Sequence, residues 1–281
     1  MQLRFSQKNK EEKDMIIAIA GSGGKTTRVH KLAQYYRSLG KKVFVTTTTH
    51  MKKESDTVIP ENIEDIRKQL NETGYCMAGM PATSEDASVQ KIGPLPEDFY
   101  ETGIKEADIT LIEADGSRGM PAKIPADYEP VIPENVDEIH IVIGMSALGK
   151  PASKVVHRLF LADKDLEIKE DTILTPLHLQ KLLKKGYLGP LREQYKDTKI
   201  KVYPGQTDTL YQRVIARFLQ EEKDVTQIKE DWFKIQPKLV IFGAGHVAIQ
   251  LLQIAKFLDF YTIMIDDREE FADPEKLPQA D

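Results

Sequence analysis

Short apolar segments alternate with longer amphipathic segments along most of the chain. Near-continuous apolar runs are typical of strands buried on both faces of a parallel sheet, and the stretches between them are long enough for crossover helices. The pattern therefore predicts an α/β fold with a mainly parallel sheet flanked by helices. The predicted strands are 15–20, 42–47, 109–114, 138–143 and 199–203, and the predicted helices are 26–39, 63–72, 176–185 and 209–222.

Two long segments, 80–96 and 115–133, are rich in proline and polar residues, and we predict that they are loops. A charged stretch then precedes a new apolar run, KLVIF, at 238–242. The change in composition predicts a first domain over 1–235 and a second, smaller unit over 236–281.

A glycine-rich turn, GSGGKTT, follows the first predicted strand and opens an amphipathic helix. This is the context of a phosphate-binding loop (P-loop), in which backbone N–H groups surround phosphate oxygens and a lysine reaches the β and γ phosphates. The loop is shorter than the G-x-x-x-x-G-K-[ST] pattern, because Ile19 stands where the first glycine is expected. We expect Thr26 or Thr27 to bind Mg²⁺. The predicted nucleotide-binding residues are Gly21, Ser22, Gly23, Gly24, Lys25, Thr26 and Thr27.

Two carboxylates, Glu113 and Asp115, end the third predicted strand. The carboxyl ends of parallel strands meet at one sheet edge, so we expect one carboxylate to bind Mg²⁺ and the other to orient a water or an acceptor. Cations that could neutralise a transferring phosphoryl group follow in the sequence. These further candidates are Arg118, Lys123, and the pair His157 and Arg158 at the start of an apparent helix.

The segment after residue 237 has the order strand, GAGHVA turn, helix, strand and acid. It fits the dinucleotide fingerprint G-x-G-x-x-A with an acid about 20 residues on. Gly243 would form the tight turn, Gly245 would allow close phosphate approach, and Asp266 could bind a ribose hydroxyl. Too few residues follow Asp266 for a full Rossmann sheet, so we expect an incomplete βαβ unit, which could also be purely structural.

Composition limits the classes of partner. The 39 basic and 44 acidic residues give a net charge of −5, which disfavours general binding to nucleic acids or acidic membranes. No apolar run approaches the ~20 residues of a membrane span, and the first residues lack a secretory signal, so we expect a soluble, cytoplasmic protein. The single cysteine, Cys76, excludes an intrachain disulfide and is expected to be buried.

Several segments closely resemble the YqeC family: GSGGKTT, TTTTHM, EADGSRGMPAKIPADYEPVIP, GMSALGKPASKVVHR and DTILTPLHLQKLL. Members are described as accessory proteins for selenium-dependent molybdenum hydroxylases. The resemblance implies a P-loop nucleotide-binding protein with ATP or GTP and Mg²⁺ as ligands. The positions it carries over are Gly21 to Thr27, Glu113, Asp115, Gly116, Arg118, Lys123, Glu129, His157 and Arg158.

The end of the chain, with GAGHVA and IDDREEFAD, is similar to the opening of the Rossmann domain of XdhC-type proteins, which bind molybdenum cofactor and deliver it to xanthine dehydrogenase-like enzymes. His246 and Asp266 to Arg268 carry this likeness. The two resemblances imply an ATP-dependent factor that matures or inserts the selenium-containing molybdenum cofactor of a client hydroxylase. A noncatalytic, nucleotide-gated cofactor carrier is an alternative. A third hypothesis is an ATP-dependent ligase, because the GSGGKTT loop also resembles the G-T-N-G-K-T-T loop of Mur-type peptide ligases. A homo-oligomer is left open.

Overall fold

The computed structural model describes residues 15–84, 88–221, 238–258 and 260–268. The strands are β1 (Met15–Gly21), β2 (Val43–Thr47), β3 (Met51–Lys52), β4 (Tyr75–Met77), β5 (Met80–Ala82), β6 (Lys91–Gly93), β7 (Ile109–Glu113), β8 (Ala122–Lys123), β9 (Glu138–Gly144), β10 (Val156–His157), β11 (Lys199–Gly205), β12 (Lys238–Phe242) and β13 (Tyr261–Ile265). The helices are α1 (Lys25–Ser38), α2 (Ile63–Thr73), α3 (Glu97–Glu106), α4 (Ala152–Val155), α5 (Pro176–Leu183), α6 (Gly189–Gln194), α7 (Leu210–Glu221) and α8 (His246–Phe257).

The main sheet has six strands in the order β11-β9-β1-β7-β2-β4, and every neighbouring pair is parallel. The predicted α/β class is confirmed, and each of the five predicted strands forms within one or two residues of its expected limits. The apolar runs identified these strands because helices cover both faces of the sheet.

The alternating side chains of β1 divide the core into two clusters. Ile17 and Ile19 pack with Val29 and Leu32 of α1 on one face. The opposite face holds Ala18 and Ala20 in a larger cluster that includes residues of α5 and α7. The consequence is a rigid central strand whose last residue begins the glycine turn.

Three predictions about local structure were wrong: the predicted loops 80–96 and 115–133 each contain strand residues, and no helix begins at His157. Part of 80–96 forms β5 and β6, which pair antiparallel with each other, and β6 also pairs with β3; we call this three-stranded unit the small sheet. The expected helix at His157 is replaced by the short strand β10, because His157 pairs with Lys123 of β8. Arg158 then adopts left-handed backbone before a 3₁₀ turn.

The C-terminal strands β12 and β13 are parallel and α8 connects them, which confirms a Rossmann-like strand-helix-strand unit. The predicted domain boundary at 235/236 lies outside the described residues. Within the described ranges, no helix combines the length and the apolar character that crossing a bilayer requires.

Candidate functional site

The glycine turn lies at the carboxyl edge of the main sheet, between β1 and α1. The chain leaves β1 towards β2 and leaves β9 towards β11, so the strand order changes direction between neighbours at this point. Such a switch point is the usual ligand-binding crevice of an open α/β sheet. The fold therefore brings the GSGGKTT motif to the expected place.

Close packing against neighbouring strand ends fixes the shape of the turn. Gly21 has a φ of +99°, and a Cβ there would lie 2.0 Å from the carbonyl oxygen of Val142. A Cβ on Gly23, at φ +74°, would lie 2.4 Å from the Cα of Gly144. Glycine is therefore required at both positions. Ser22 is buried and donates its hydroxyl to the carbonyl of Pro121 at 3.0 Å.

Lys25 is the first residue of α1, and its side chain folds back over the turn. Its Nζ donates to the carbonyl oxygen of Gly21 at 2.8 Å and to the hydroxyl of Ser117 at 3.2 Å. It also lies 3.2 Å from a carboxylate oxygen of Asp115. The ammonium is thus held beneath the position where backbone N–H groups would bind phosphate.

Thr26 and Glu113 place two hard oxygen ligands next to Lys25. The Thr26 hydroxyl donates to Glu113 Oε2 at 3.1 Å. Burial raises the pKa of Glu113, and the charge of Lys25 and the Thr26 hydrogen bond partly oppose that shift. Among the described residues, no group of three or more His, Cys, Asp or Glu side chains could hold a metal ion. Mg²⁺ needs no such group, because it commonly takes one or two protein oxygens together with phosphates and water.

Asp115 is buried beneath the turn and does not line the cleft, contrary to the prediction that it could bind the metal or orient a water. Its Oδ2 accepts from the backbone N–H of Gly21 and the hydroxyl of Tyr187, both at 3.1 Å. Lys25 and Lys123 each lie 3.2 Å from it. Protein groups therefore surround the carboxylate, and of the two acids Glu113 is the one that lines the cleft.

Lys123 connects Asp115 to a second group of predicted residues. Its fully buried ammonium also contacts Glu129 at 2.8 Å and the carbonyl of Gly116 at 2.6 Å. Burial acts to raise the pKa of Glu129, but hydrogen bonds from Arg158 and Lys123 outweigh it and the net shift is downward. Lys123 therefore has its three donors satisfied by protein and acts from below the cleft.

His157 lies in the same group, half-buried beside Arg158. Burial lowers the pKa of His157, and three nearby cations lower it further: Arg158, Lys123 and Arg118. Burial acts to lower the pKa of Arg158, but its ion pair with Glu129 dominates and raises it. The predicted catalytic cations thus come together in space.

A cleft of about 1060 Å³ opens above these groups. The turn and α1 contribute Gly23 to Thr27 to the cleft. One wall is formed by Thr49 and His50, which follow β2, and by the small sheet, which the sequence did not indicate. The predicted site residues that line the cleft are Gly23, Gly24, Lys25, Thr26, Thr27, Glu113, Arg118, His157 and Arg158, whereas Gly21, Ser22, Asp115 and Lys123 lie behind the surface.

Sequence reasoning missed Ser117 and Tyr187 as partners of the buried charges. Ser117 stands inside the EADGSRG segment and could have been noticed as a hydroxyl beside the two acids. Tyr187 lies in the π-helical turn after α5, far along the chain, and no local pattern marks it. Hydroxyls that serve distant charges are visible only in the fold.

The second glycine turn has the expected backbone. Gly243 has a φ of +91°, and α8 begins at His246, whose side chain is exposed. Asp266 accepts from the backbone N–H of Ala244 at 2.7 Å and forms an ion pair with Arg268. Hydrogen bonds from Arg268 and Ala244 hold the pKa of Asp266 well below its usual range. Asp266 thus supports the turn next to Gly245.

Comparison with known proteins identifies two matching families. The model of the family described as YqeC protein matches residues 17–160, just over half of the chain. The chain belongs to the YqeC family. This YqeC match contains the glycine turn, Glu113, Arg118 and Arg158. The model described as XdhC Rossmann domain matches residues 239–281.

Two curated relatives share part of the chain. The YqeC protein of Escherichia coli (strain K12) is 31% identical over 159 residues, which cover 53% of this chain and 59% of that protein. The signal recognition particle 54 kDa protein of Hyperthermus butylicus is 30% identical over 105 residues, 37% of this chain and 21% of that protein. The chain therefore spans less than two thirds of either relative. No solved structure gives a significant match.

Proposed function

We propose that this YqeC-family chain binds a magnesium nucleoside triphosphate, ATP in preference to GTP, and hydrolyses it or transfers its terminal phosphoryl group. The observation that carries the proposal is the meeting of Lys25, Thr26 and Glu113 in one cleft, at the switch point of a parallel sheet. A lysine, a hydroxyl and a carboxylate in this relation are the groups that phosphoryl transfer requires around the phosphates and Mg²⁺.

Each group has a task that follows from its contacts. Backbone N–H groups of the turn and Lys25 would neutralise the phosphates, and Thr26 and Glu113 would hold Mg²⁺. Bound Mg²⁺ would neutralise charge that develops on the phosphates during transfer. Asp115, with its cationic partners, fixes Lys25 and the backbone of Gly21. Arg118 and Arg158 stand at the same cleft, where positive charge stabilises a transferring phosphoryl group.

The biological step is proposed from the two family matches. Members of the YqeC family are described as accessory to selenium-dependent molybdenum hydroxylases, and XdhC-type proteins deliver molybdenum cofactor. A chain that carries both segments fits a maturation factor that couples nucleotide turnover to a step on the selenium-containing molybdenum cofactor of a client hydroxylase. We place this step in the cytoplasm.

Calorimetry with ATP and GTP in the presence of Mg²⁺ tests nucleotide binding. Lys25→Ala should abolish it, because the loop then lacks the ammonium that neutralises the phosphates. Glu113→Gln should weaken binding in Mg²⁺ at least tenfold and have little effect in EDTA, since it removes a metal ligand. Lys31→Ala, an exposed lysine one and a half turns further along α1, is the matched control and should bind normally.

Phosphate release under multiple turnover separates the enzyme from the carrier. Release that molybdenum cofactor stimulates, and that Glu113→Gln abolishes, would support the maturation enzyme. Tight binding without turnover would support a nucleotide-gated carrier instead. Failure of the wild-type chain to bind either nucleotide would overturn the proposal and leave the glycine turn as a structural element.

A further inference from the structure

The cleft carries more positive charge than a nucleotide site alone explains. The lysine and arginine side chains that line it are Lys25, Lys52, Lys91, Arg118 and Arg158, against the two acids Glu113 and Glu129. The whole chain has a net charge of −5. Cations are therefore concentrated in the cleft of an otherwise acidic molecule, which favours an anionic ligand there.

Two of these cations form a like-charge pair on the small sheet. Lys52 of β3 and Lys91 of β6 are directly opposite each other in an antiparallel register, so their side chains share one face. Like charges in this position destabilise a strand pair. Within the ranges that the structure describes, neither lysine forms an ion pair. An anion bound between the small sheet and the opposite wall would relieve this repulsion.

The arginines on the opposite wall are held in an unfavourable backbone conformation. Among the described residues, four non-glycine residues have a positive φ, and three of them line this cleft: Arg118 at 48°, Arg158 at 58° and Gln206 at 55°. The left-handed region is costly for residues with a Cβ and recurs where a side chain must be aimed at a ligand. Arg158 is further positioned by its ion pair with Glu129.

The cleft is slightly larger than a typical pocket for one small molecule. Pockets for single small molecules are typically about 300–1,000 Å³, and this cleft holds about 1060 Å³. In the proposed function, the nucleotide phosphates lie over one part of the cleft, which is lined by the glycine turn, Lys25, Thr26 and Glu113. Arg118 lies on the loop that follows β7, and Arg158 lies on the turn that follows β10.

We propose that Arg118 and Arg158, with Lys52 and Lys91 across the cleft, form a second anion subsite that binds the phosphate monoester group of a second substrate beside the nucleotide. Planar guanidinium groups match a tetrahedral oxyanion bidentately, which explains arginine on the fixed wall. Flexible lysines on the small sheet supply point charges. This inference deepens the proposed function by giving the class of the acceptor, and it rests on the nucleotide occupying the glycine turn.

The test titrates inorganic phosphate into the full chain saturated with Mg²⁺ and a non-hydrolysable ATP analogue, by calorimetry. Phosphate should bind alongside the nucleotide. Arg118→Gln should weaken phosphate binding at least tenfold and nucleotide binding by a smaller factor, because Arg118 also faces the transferring phosphoryl group. The double variant Lys52→Gln/Lys91→Gln should weaken phosphate binding at least threefold, with the nucleotide affinity changed less than twofold. Lys164→Gln, an exposed lysine outside the cleft, removes the same charge and should change neither affinity.

Arg118 is chosen because its side chain is exposed. Replacing Arg158 would instead remove one of the cations that neutralise the buried carboxylate of Glu129. Phosphate that competes with the nucleotide, or arginine variants that weaken the nucleotide as much as phosphate, would overturn the inference, because these cations would then serve the nucleotide itself. Absence of phosphate binding would also overturn it. Lys25→Ala separates the two proposals, because it should lose nucleotide but retain phosphate binding. A wild-type chain that binds no nucleotide, but binds phosphate in a way that Arg118→Gln weakens, would refute the proposed function while the anion subsite itself stands.

Discussion

Asp115 shows how much one buried residue can determine. Its side chain is fully buried, yet it accepts hydrogen bonds from Gly21 and Tyr187 and pairs with two lysines. The sequence identified Asp115 as a site residue because it follows an apolar strand next to Glu113. Its supporting role could not be predicted, because its partners are distant along the chain and only the sheet order brings them together.

Removing the charge of Asp115 should destabilise the protein strongly. Asp115→Asn keeps the size of the side chain but leaves Lys25 and Lys123 with less compensation in a buried position. Breaking a buried ion pair in this way costs about 3–5 kcal/mol, and we expect about 3 kcal/mol here because Lys123 keeps Glu129. Urea denaturation measures the change in the free energy of unfolding.

The control for this prediction is Asp127→Asn, a change of the same chemistry at an exposed position of the following loop. It should alter stability by less than about 0.5 kcal/mol. Equal stability of the two variants would show that Asp115 does not support the turn.

The five longer strands of the main sheet were predictable, because strands that are buried on both faces are almost continuously apolar in sequence. The strands that were missed, β3 to β6, β8 and β10, contain two or three residues each, which is too short for any periodicity. Helix α3 was also missed, because it is short, contains Gly103 and begins after Pro96 without a side-chain N-cap. For the same reason, the cleft wall that the small sheet forms could not be predicted from the sequence.

Gly103 of α3 lies directly on the ring of Phe44 in β2. A Cβ at this position would be 2.3 Å from a ring carbon, so alanine would force the helix away from the sheet. Alanine favours a helix by about 1 kcal/mol over glycine, but overpacking costs about 1–3 kcal/mol. We expect Gly103→Ala to destabilise the protein by about 1 kcal/mol, as measured by thermal or urea unfolding.

A double-mutant cycle with Phe44→Leu tests this contact. The smaller leucine should make room for the methyl group, so that Gly103→Ala becomes neutral or stabilising in that background. Additive effects of the two substitutions would mean that the helix and strand are not in close contact at this point.

The stability of the whole molecule should depend on a polar cluster between α1 and the neighbouring strands β9 and β11. His140 is fully buried, and its Nε2 lies 3.0 Å from Glu138, which also binds Lys201. Burial lowers the pKa of His140 to about 4, despite the hydrogen bond to Glu138. The ring of His140 also packs against Tyr203, over which the guanidinium of Arg28 lies at 3.8 Å.

His140 makes folding weaker in acid. The unfolded chain binds a proton at this side chain near its ordinary pKa of 6.5, whereas the folded protein binds it only near 4. The stabilisation is complete above the unfolded pKa and falls as the pH drops towards the folded one. Between about pH 7.5 and about pH 5, this single group should remove about 2 kcal/mol.

His140→Gln cannot titrate and should lose less stability over this interval, by about 2 kcal/mol, when both proteins are unfolded by urea at each pH. His50→Gln, at an exposed position, is the matched control and should follow the wild type. Identical pH curves for His140→Gln and the wild type would contradict the burial of a neutral imidazole.

The parallel order of the main sheet also has a consequence for synthesis on the ribosome. Strand β1 lies at the centre, and its first partner, β7, is encoded more than ninety residues later. At about 5–20 residues per second, the nascent chain carries the apolar MIIAIAG segment without a partner strand for about 5–20 s. Among the described strands, β1, which ends in the glycine turn, therefore has the longest delay before its first partner strand is synthesised. A chaperone that protects the growing chain would act most effectively on this segment.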